Sequence, residues 1–324
     1  YDQVRARRSV ASTIKPAVYA AAIERGLQPC DYFSNEKKTY AAFDDWAPDN
    51  FGHDTTGGQV AMWYALARSM NRPTVDLYFQ TGTDTLRRTF AALGLPTTDV
   101  DKPAVALGAS SVALETLVPA YGAFANRGKR LPPRLITRIT DAQGKVIHEA
   151  KAPKPVQALK ESTAAAIAVM LQRAVNEGTG TALRTRYGLS GPWAGKTGTA
   201  QDYSDAWFVA FTPGLVIGTH VGAFDPSVHF QSAHGTGGAL ALPIAGQVLQ
   251  RIERRPDLRG KYVRSFDWAD AYAIDLDCDP RRERSPFGEW VKDVFRPKSS
   301  RADSLPAAPK KDKGFFDRLF NRED

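Results

Sequence analysis

ASTIKPAVYAAAIERG, residues 11–26, sets a serine and a lysine three positions apart in an otherwise apolar, alanine-rich run. On a helix of 3.6 residues per turn, positions three apart are neighbours, so the Ser12 hydroxyl and the Lys15 amine share a face within hydrogen-bond reach. That is the arrangement of a nucleophile beside its base. Taken alone, S-x-x-K reads rather as a helix-capping serine followed by an exposed lysine. Pro16 is best tolerated in a first helical turn, which puts Ser12 at or just before the helix start, in the positive field of the helix dipole. Ile14, Val18, Ala22 and Ile23 recur at three- and four-residue spacing and predict a buried helix over 12–26, ended by Gly26.

The 324 residues, 43% of them hydrophobic, suffice for one large domain or two modest ones. A net charge of +8 arises from 43 basic residues scattered among 35 acids. With no long basic run and no zinc, recognition-helix or base-stacking signature, no nucleic-acid partner is expected. Cys30 and Cys278 have no C-x-x-C or histidine companions, so neither a metal nor another cofactor is expected. An oxidising compartment would let them pair, but the reading adopted is of two isolated, semi-apolar side chains. There is no apolar run of about 18 residues and no signal peptide. The chain opens on Tyr1 rather than methionine, and is expected to be a piece of something longer.

Outward from the first helix, a polar, aromatic loop from Gln28 to about Gly58 is too long for a connector and is expected to wall a binding site. Helices are predicted over 59–68, 83–93 and 114–125, and alternation over 134–150 predicts a hairpin turning at Asp141 to Gly144. A strong helix follows over 162–177. Three strands in close succession, 193–200, 206–212 and 215–224, predict an antiparallel sheet, with a helix over 240–252 packed on it. Beyond Arg255 the charged, proline-rich texture predicts an extended tail without its own core. The closing FFDRLF sets Phe315, Phe316, Leu319 and Phe320 on one side of a short terminal helix.

Two further short motifs carry chemistry. In ARSMNRP, Ser69 and Asn71 follow a helical run in a loop, where a hydroxyl can relay a proton and an amide can hold a substrate carbonyl; the same residues also suit a plain polar turn. In WAGKTGTAQ, Gly198 lies within a strand, which suggests that something approaches the backbone closely, such as an extended peptide. Lys196 supplies charge there and Thr197 and Thr199 supply hydroxyls for a carboxylate, although a lysine on an edge strand also discourages aggregation.

Each motif is weak alone; their order is specific. S-x-x-K, S-x-N and K-T-G in this sequence are the set shared by penicillin-binding proteins and class A β-lactamases. The chain resembles the transpeptidase domain of a bifunctional, class A penicillin-binding protein. ARRSVASTIKPAVYAAAIERG is similar to that family's nucleophile helix, ALGASSVALETLVPAYGAFANRG to its segment ahead of the hairpin, and GGALALPIAGQVL to its last helix. The resemblance covers roughly residues 1–254 and leaves 255–324 as a charged tail. Two departures are SVAS, where many relatives carry proline and glycine, and Met70 in place of the aspartate of the lactamase S-D-N, which fits transpeptidases better.

The resemblance implies an α+β fold of the serine β-lactamase and penicillin-binding type, a central antiparallel sheet flanked by helices, here without its N-terminal strands. It implies serine acyl transfer at the D-alanyl-D-alanine end of a peptidoglycan stem peptide. Ser12 would be nucleophile, Lys15 its base, and Ser69 the carrier of the proton to the leaving amine. Asn71 would hold the donor amide, and Lys196 with Thr197, Gly198 and Thr199 would receive its carboxylate. The backbone N–H groups of Ser12 and Thr199 would form the oxyanion hole. An amine of a second stem peptide would resolve the acyl-enzyme, and β-lactams would stall it. It further implies a longer natural protein, with an upstream glycan-polymerising domain and an N-terminal membrane anchor, facing the periplasm or outer cell surface. Two other readings are a hydrolase (carboxypeptidase or β-lactamase) and a non-catalytic sensing module. The first needs a positioned acid, and Glu115 has a plain helical explanation; the second has no use for a base beside a nucleophile.

Overall fold

The computed structural model describes residues 3–52 and 56–282. β1 (Arg8–Ser9) leads into a 3-10 turn, Ala11–Ile14, and then α1 (Lys15–Glu24). The single helix expected over 12–26 is thus split: Ser12 sits in the tighter turn, whose i and i+3 side chains eclipse, so it still shares a face with Lys15. β2 (Tyr32–Ser34) and β3 (Gln59–Ala61) bracket the long loop and pair antiparallel. α2 (Met62–Ala67) follows β3 at once, so the stretch read as one helix over 59–68 is half strand. α3 (Arg72–Thr81) has no counterpart among the predicted helices, because Ser69 and Asn71 read as a loop; Pro73 occupies its first turn.

α4 (Thr83–Leu93), β4 (Ser111–Val112) and α5 (Leu114–Ala125) follow, and β1 pairs antiparallel with β4. β5 (Lys129–Arg130) lies ahead of the predicted hairpin, formed by β6 (Arg138–Thr140) and β7 (Val146–Glu149) with Gly144 at φ 83°, and β8 (Val156–Gln157) returns to pair β5. α6 (Glu161–Glu177) and α7 (Ala182–Thr185) precede the central sheet of β9 (Ala194–Thr199), β10 (Asp205–Thr212) and β11 (Leu215–Gly222). α8 (Ala241–Arg254), α9 (Pro256–Tyr262), α10 (Ala269–Tyr272) and β12 (Arg281–Arg282) complete the described chain.

The predicted antiparallel sheet is present in the order β11-β10-β9, with Phe208 opposite both Thr219 and Thr197. All eight residues of β10 are buried, as a strand covered on both faces must be. Trp207, Val209 and Phe211 enter the larger core with α1, α5 and α6, whereas Ala206, Phe208 and Ala210 face Leu242, Ala245 and Leu249 of α8. α6 is the centre of the larger core: Ala164, Ile167, Ala168, Met170, Leu171 and Ala174 are all buried, and its alanines let neighbouring helices approach closely.

Two expectations change. The segment after Arg255 was expected to be extended, yet as far as Arg282 it packs on the domain: Phe266, Trp268 and Leu276 are buried, Phe266 meets Phe211 edge-on at 5.9 Å, and β12 pairs with β3. Apolar residues this sparse carry no periodic signal, so their burial is a property of the assembled core. FFDRLF lies outside the described residues. Cys30 and Cys278, read as isolated, form a disulfide with a Cα–Cα distance of 5.9 Å. They meet because β12 returns to the sheet that begins just after Cys30. The bridge closes a loop spanning 248 positions. Opening it with reductant, or by Cys278→Ser, is expected to lower the unfolding free energy by about 2–4 kcal/mol. Chemical denaturation reads this as a lower midpoint at similar slope; an unchanged midpoint would show that the bridge contributes nothing.

Candidate active site

Ser12 is presented by a turn that the surrounding backbone holds in place. The Val10 and Ala11 amides donate to the carbonyls of Ser110 and Gly108, both at 3.2 Å, and the Tyr121 hydroxyl donates to the Thr13 carbonyl at 2.7 Å. Ala11 adopts a left-handed conformation, φ 49°. Gly108 passes so close that a Cβ there would lie 2.0 Å from the Ala11 carbonyl oxygen, which explains a glycine at that position. Gly198 answers to the same crowding: a Cβ on it would meet Thr13 Cγ2 at 2.9 Å and the Thr13 amide nitrogen at 3.3 Å. What approaches this glycine on that side is the serine turn itself.

Lys15 is wholly buried, and its Nζ donates to Ser69 O at 2.8 Å, Met70 O at 3.2 Å and Asn71 Oδ1 at 2.7 Å. Among the described residues no hydrogen bond joins it to Ser12 Oγ. Three donated bonds describe an ammonium; a neutral amine has two hydrogens, so one acceptor is released when Lys15 gives up a proton. Burial, and next the nearby charge of Lys196, hold the Lys15 amine well below the usual lysine range. Lys196 is also fully buried, and burial lowers its pKa to about 7. Its Nζ donates to Ser69 Oγ at 2.6 Å and to Thr197 O at 2.9 Å. Ser69 therefore stands between two lysines, its carbonyl on one and its hydroxyl on the other. It does so at φ 58°, a conformation non-glycine residues adopt at a cost of about 1 kcal/mol or more.

Asn71 is held at both ends of its side chain, accepting from Lys15 and donating through Nδ2 to the Asp49 carbonyl at 2.6 Å. Asn50 Oδ1 accepts from the Asn71 and Arg72 amides at 2.8 and 3.1 Å, and Asn50 Nδ2 donates to Asn35 Oδ1 at 2.8 Å. Arg72 Nη2 adds a 2.8 Å ion pair with Asp49. The 28–58 loop thus props the serine-asparagine loop from behind. Asp49 and Asn50 sit within the sequence APDNFG, where proline and glycine mark a turn, but nothing local says which loop that turn supports.

A cavity of about 750 Å³ lies over these residues. Ser12, Ser69, Asn71, Thr197 and Thr199 all line it, with Thr179, whose hydroxyl accepts from Thr197 Oγ1 at 2.8 Å. Thr199 Oγ1 accepts from the Gly237 amide at 3.0 Å. Lys15 and Lys196 are not in the lining and reach it through Ser69 and Thr197, which are. Phe51 and Tyr203 face each other edge-on across the cavity rim, their ring centres 6.3 Å apart. Among the described residues, Arg68 and Asp202 are the charged side chains in the lining. Glu115, the acid weighed from the sequence, instead pairs with Arg5 at 3.4 Å. The arrangement is a hydroxyl lining a cavity, two buried amines of lowered pKa and a second serine whose carbonyl meets one amine and whose hydroxyl meets the other, which is equipment for proton transfer during nucleophilic substitution.

Residues 2–250 match the family model described as the penicillin binding protein transpeptidase domain. Penicillin-binding protein 1A of Aquifex aeolicus is 35% identical over 246 residues, which are 74% of this chain and 32% of that protein. The chain spans about a third to two-fifths of the length of the curated relatives it matches. Among solved structures, penicillin-binding protein 1A from Haemophilus influenzae superposes with a TM-score of 0.72 at 22% identity, covering 79% of this chain and 44% of that one. The imipenem acyl-enzyme complex of penicillin-binding protein A from M. tuberculosis superposes with a TM-score of 0.65 at 22% identity, covering 76% of this chain and 61% of that one.

Proposed function

This chain belongs to the penicillin-binding protein transpeptidase domain family, and on that premise we propose that it is a serine D,D-transpeptidase that crosslinks peptidoglycan stem peptides and is acylated by β-lactams. The observation that carries the reading is Ser69 held between Lys15 and Lys196 at the floor of the cavity that Ser12 lines. Ser12 Oγ attacks the carbonyl of the penultimate D-alanine. Its proton passes to the neutral amine of Lys15 and on, through Ser69 Oγ, to the nitrogen of the departing D-alanine as the peptide C–N bond breaks. The backbone N–H groups of Ser12 and Thr199 receive the oxyanion, an interaction worth about 3 kcal/mol of barrier per donor. Thr197 and Thr199 take the terminal carboxylate in the field of Lys196, and Gly198 leaves the strand close to the nucleophile. Asn71 orients the donor amide. An amine of a second stem peptide then attacks the ester, forming the new amide bond and returning a proton to Ser12 Oγ.

The same proposal places the domain in the periplasm or on the outer face of the membrane, where an oxidising environment maintains the Cys30–Cys278 bridge. Among the described residues no helix is long and apolar enough to cross a membrane. An N-terminal membrane anchor and an upstream glycan-polymerising domain follow the class A resemblance. The test is product analysis with the purified protein, a lipid-linked pentapeptide substrate and a glycan polymerase. Crosslinked dimers are expected. Tetrapeptides without crosslinks would make the protein a carboxypeptidase, and neither product would leave a binding module.

A further inference from the structure

At the strand that leads into the nucleophile turn lies a buried polar cluster that the proposed mechanism leaves unused. Asp205, the first residue of β10, accepts from Arg8 Nε at 2.7 Å, from His220 Nε2 at 2.8 Å and from Ser204 Oγ at 3.0 Å. The three principal side chains are all more than nine-tenths buried. Burial alone pushes the Asp205 carboxyl up; the hydrogen bonds from His220 and Arg8 and the Arg8 charge outweigh it and leave it below the ordinary carboxylate value. The His220 ring packs against Trp207 at a tilt of 36°, ring centres 4.2 Å apart. Room for the cluster is made at Gly222, where a Cβ would stand 2.7 Å from Asp205 Oδ1 and 3.0 Å from His220 Nε2.

Buried ion pairs are poor devices for stability, since desolvation cancels most of their attraction, but they fix geometry well. Here the geometry concerns the active site on two sides. Arg8 belongs to β1, the strand that feeds the Ser12 turn. On the other side, the Asp205 carbonyl accepts the Ala200 amide at 2.9 Å, directly after Thr199. A second tie runs parallel, from Trp207 Nε1 to the Ser9 carbonyl at 2.8 Å, and Trp207 is the register partner of Gly198.

We infer that Asp205 is a positioning residue of this site: its side chain holds the strand leading to Ser12 while its backbone holds the strand end carrying Thr199. It thereby fixes the separation of nucleophile and oxyanion donors. His220 completes the clamp by orienting the carboxylate. The inference rests on the acyl-transfer reading above and assigns these residues no contact with substrate.

The test separates acylation by benzylpenicillin into its non-covalent binding constant and its acylation rate constant. Asp205→Asn preserves shape but removes the charge that holds Arg8. It is expected to lower the rate constant roughly 10- to 100-fold, as sub-ångström misplacement of reacting groups does, with binding changed less than about threefold. The pH midpoint of acylation should stay in place, because both lysines are untouched. His220→Ala is expected to lower the rate constant in the same way, and His220→Gln, which retains a donor, to recover most of the loss. An acylation rate constant equal to wild type in folded Asp205→Asn would overturn the role. So would equal losses in His220→Ala and His220→Gln. If Asp205→Asn does not fold, His220→Ala carries the test, and failure of both to fold would make the cluster a folding element only. Absence of acylation in the wild-type protein would instead sink the proposed function.

Discussion

Benzylpenicillin is expected to form a long-lived covalent adduct on Ser12, and Ser12→Ala to abolish it. Intact mass followed by peptide mapping reads both. The expectation stands on the turn that presents Ser12 to the cavity and on a lining that, among the described residues, holds no buried carboxylate. Opening the lactam ring leaves the amine attached to the bound acyl group, so the leaving group stays in place and continues to block the acceptor. Survival of the adduct then depends on whether a base can activate water. Asp202 is the carboxylate in the cavity lining, at the exposed rim. Rapid release of penicilloate, slowed by Asp202→Asn, would make the protein a hydrolase with Asp202 as its base. An adduct on any residue other than Ser12 would overturn the assignment of the nucleophile.

Lys15→Ala is expected to slow acylation by 10²–10⁴-fold, the usual contribution of a positioned general base. The substitution also removes the donor to Ser69 O, Met70 O and Asn71 Oδ1, so Lys15→Met, which keeps the stem packed, is the companion variant. The pH profile distinguishes a base from a prop. The reactive form of Lys15 is the neutral amine, so the wild-type rate rises with pH as the proton leaves. Burial and the Lys196 charge both favour the neutral form, so the rise belongs well below the ordinary lysine value of 10.5. Removing the second charge with Lys196→Met takes away one of those two influences. The rise should then move to higher pH, whatever the variant does to carboxylate recognition. Acylation by Lys15→Ala at the wild-type rate, or a profile in Lys196→Met that does not shift or shifts downward, would contradict the assignment.

How much of this was legible in the chain differs from element to element. α4, α5 and α6 and the three central strands were readable because each buries a continuous face, and burial imposes a period on the sequence that produces it. β3 and the start of α2 merged into one predicted helix because three strand residues are too few to set a period of their own. α3 was hidden by polar residues that belong to the site. The candidate site was readable as an ordered set of residue types, since S-x-x-K, S-x-N and K-T-G are each short enough to be held by one turn or strand.

By itself, then, the sequence determined the fold class, the family and five of the side chains that line the cavity, Ser12, Ser69, Asn71, Thr197 and Thr199, because these rest on local periodicity and on motifs no longer than one turn. Only the tertiary structure decided which groups those side chains meet. That Lys15 faces three acceptors of the 69–71 loop, that Cys278 reaches Cys30 and that Arg8 finds Asp205 across 197 positions depends on how distant elements pack. A hydrogen bond or disulfide between remote residues requires one particular approach of two backbones. The pattern of apolar residues specifies that an element is buried; the closeness of that approach is set by the whole core at once.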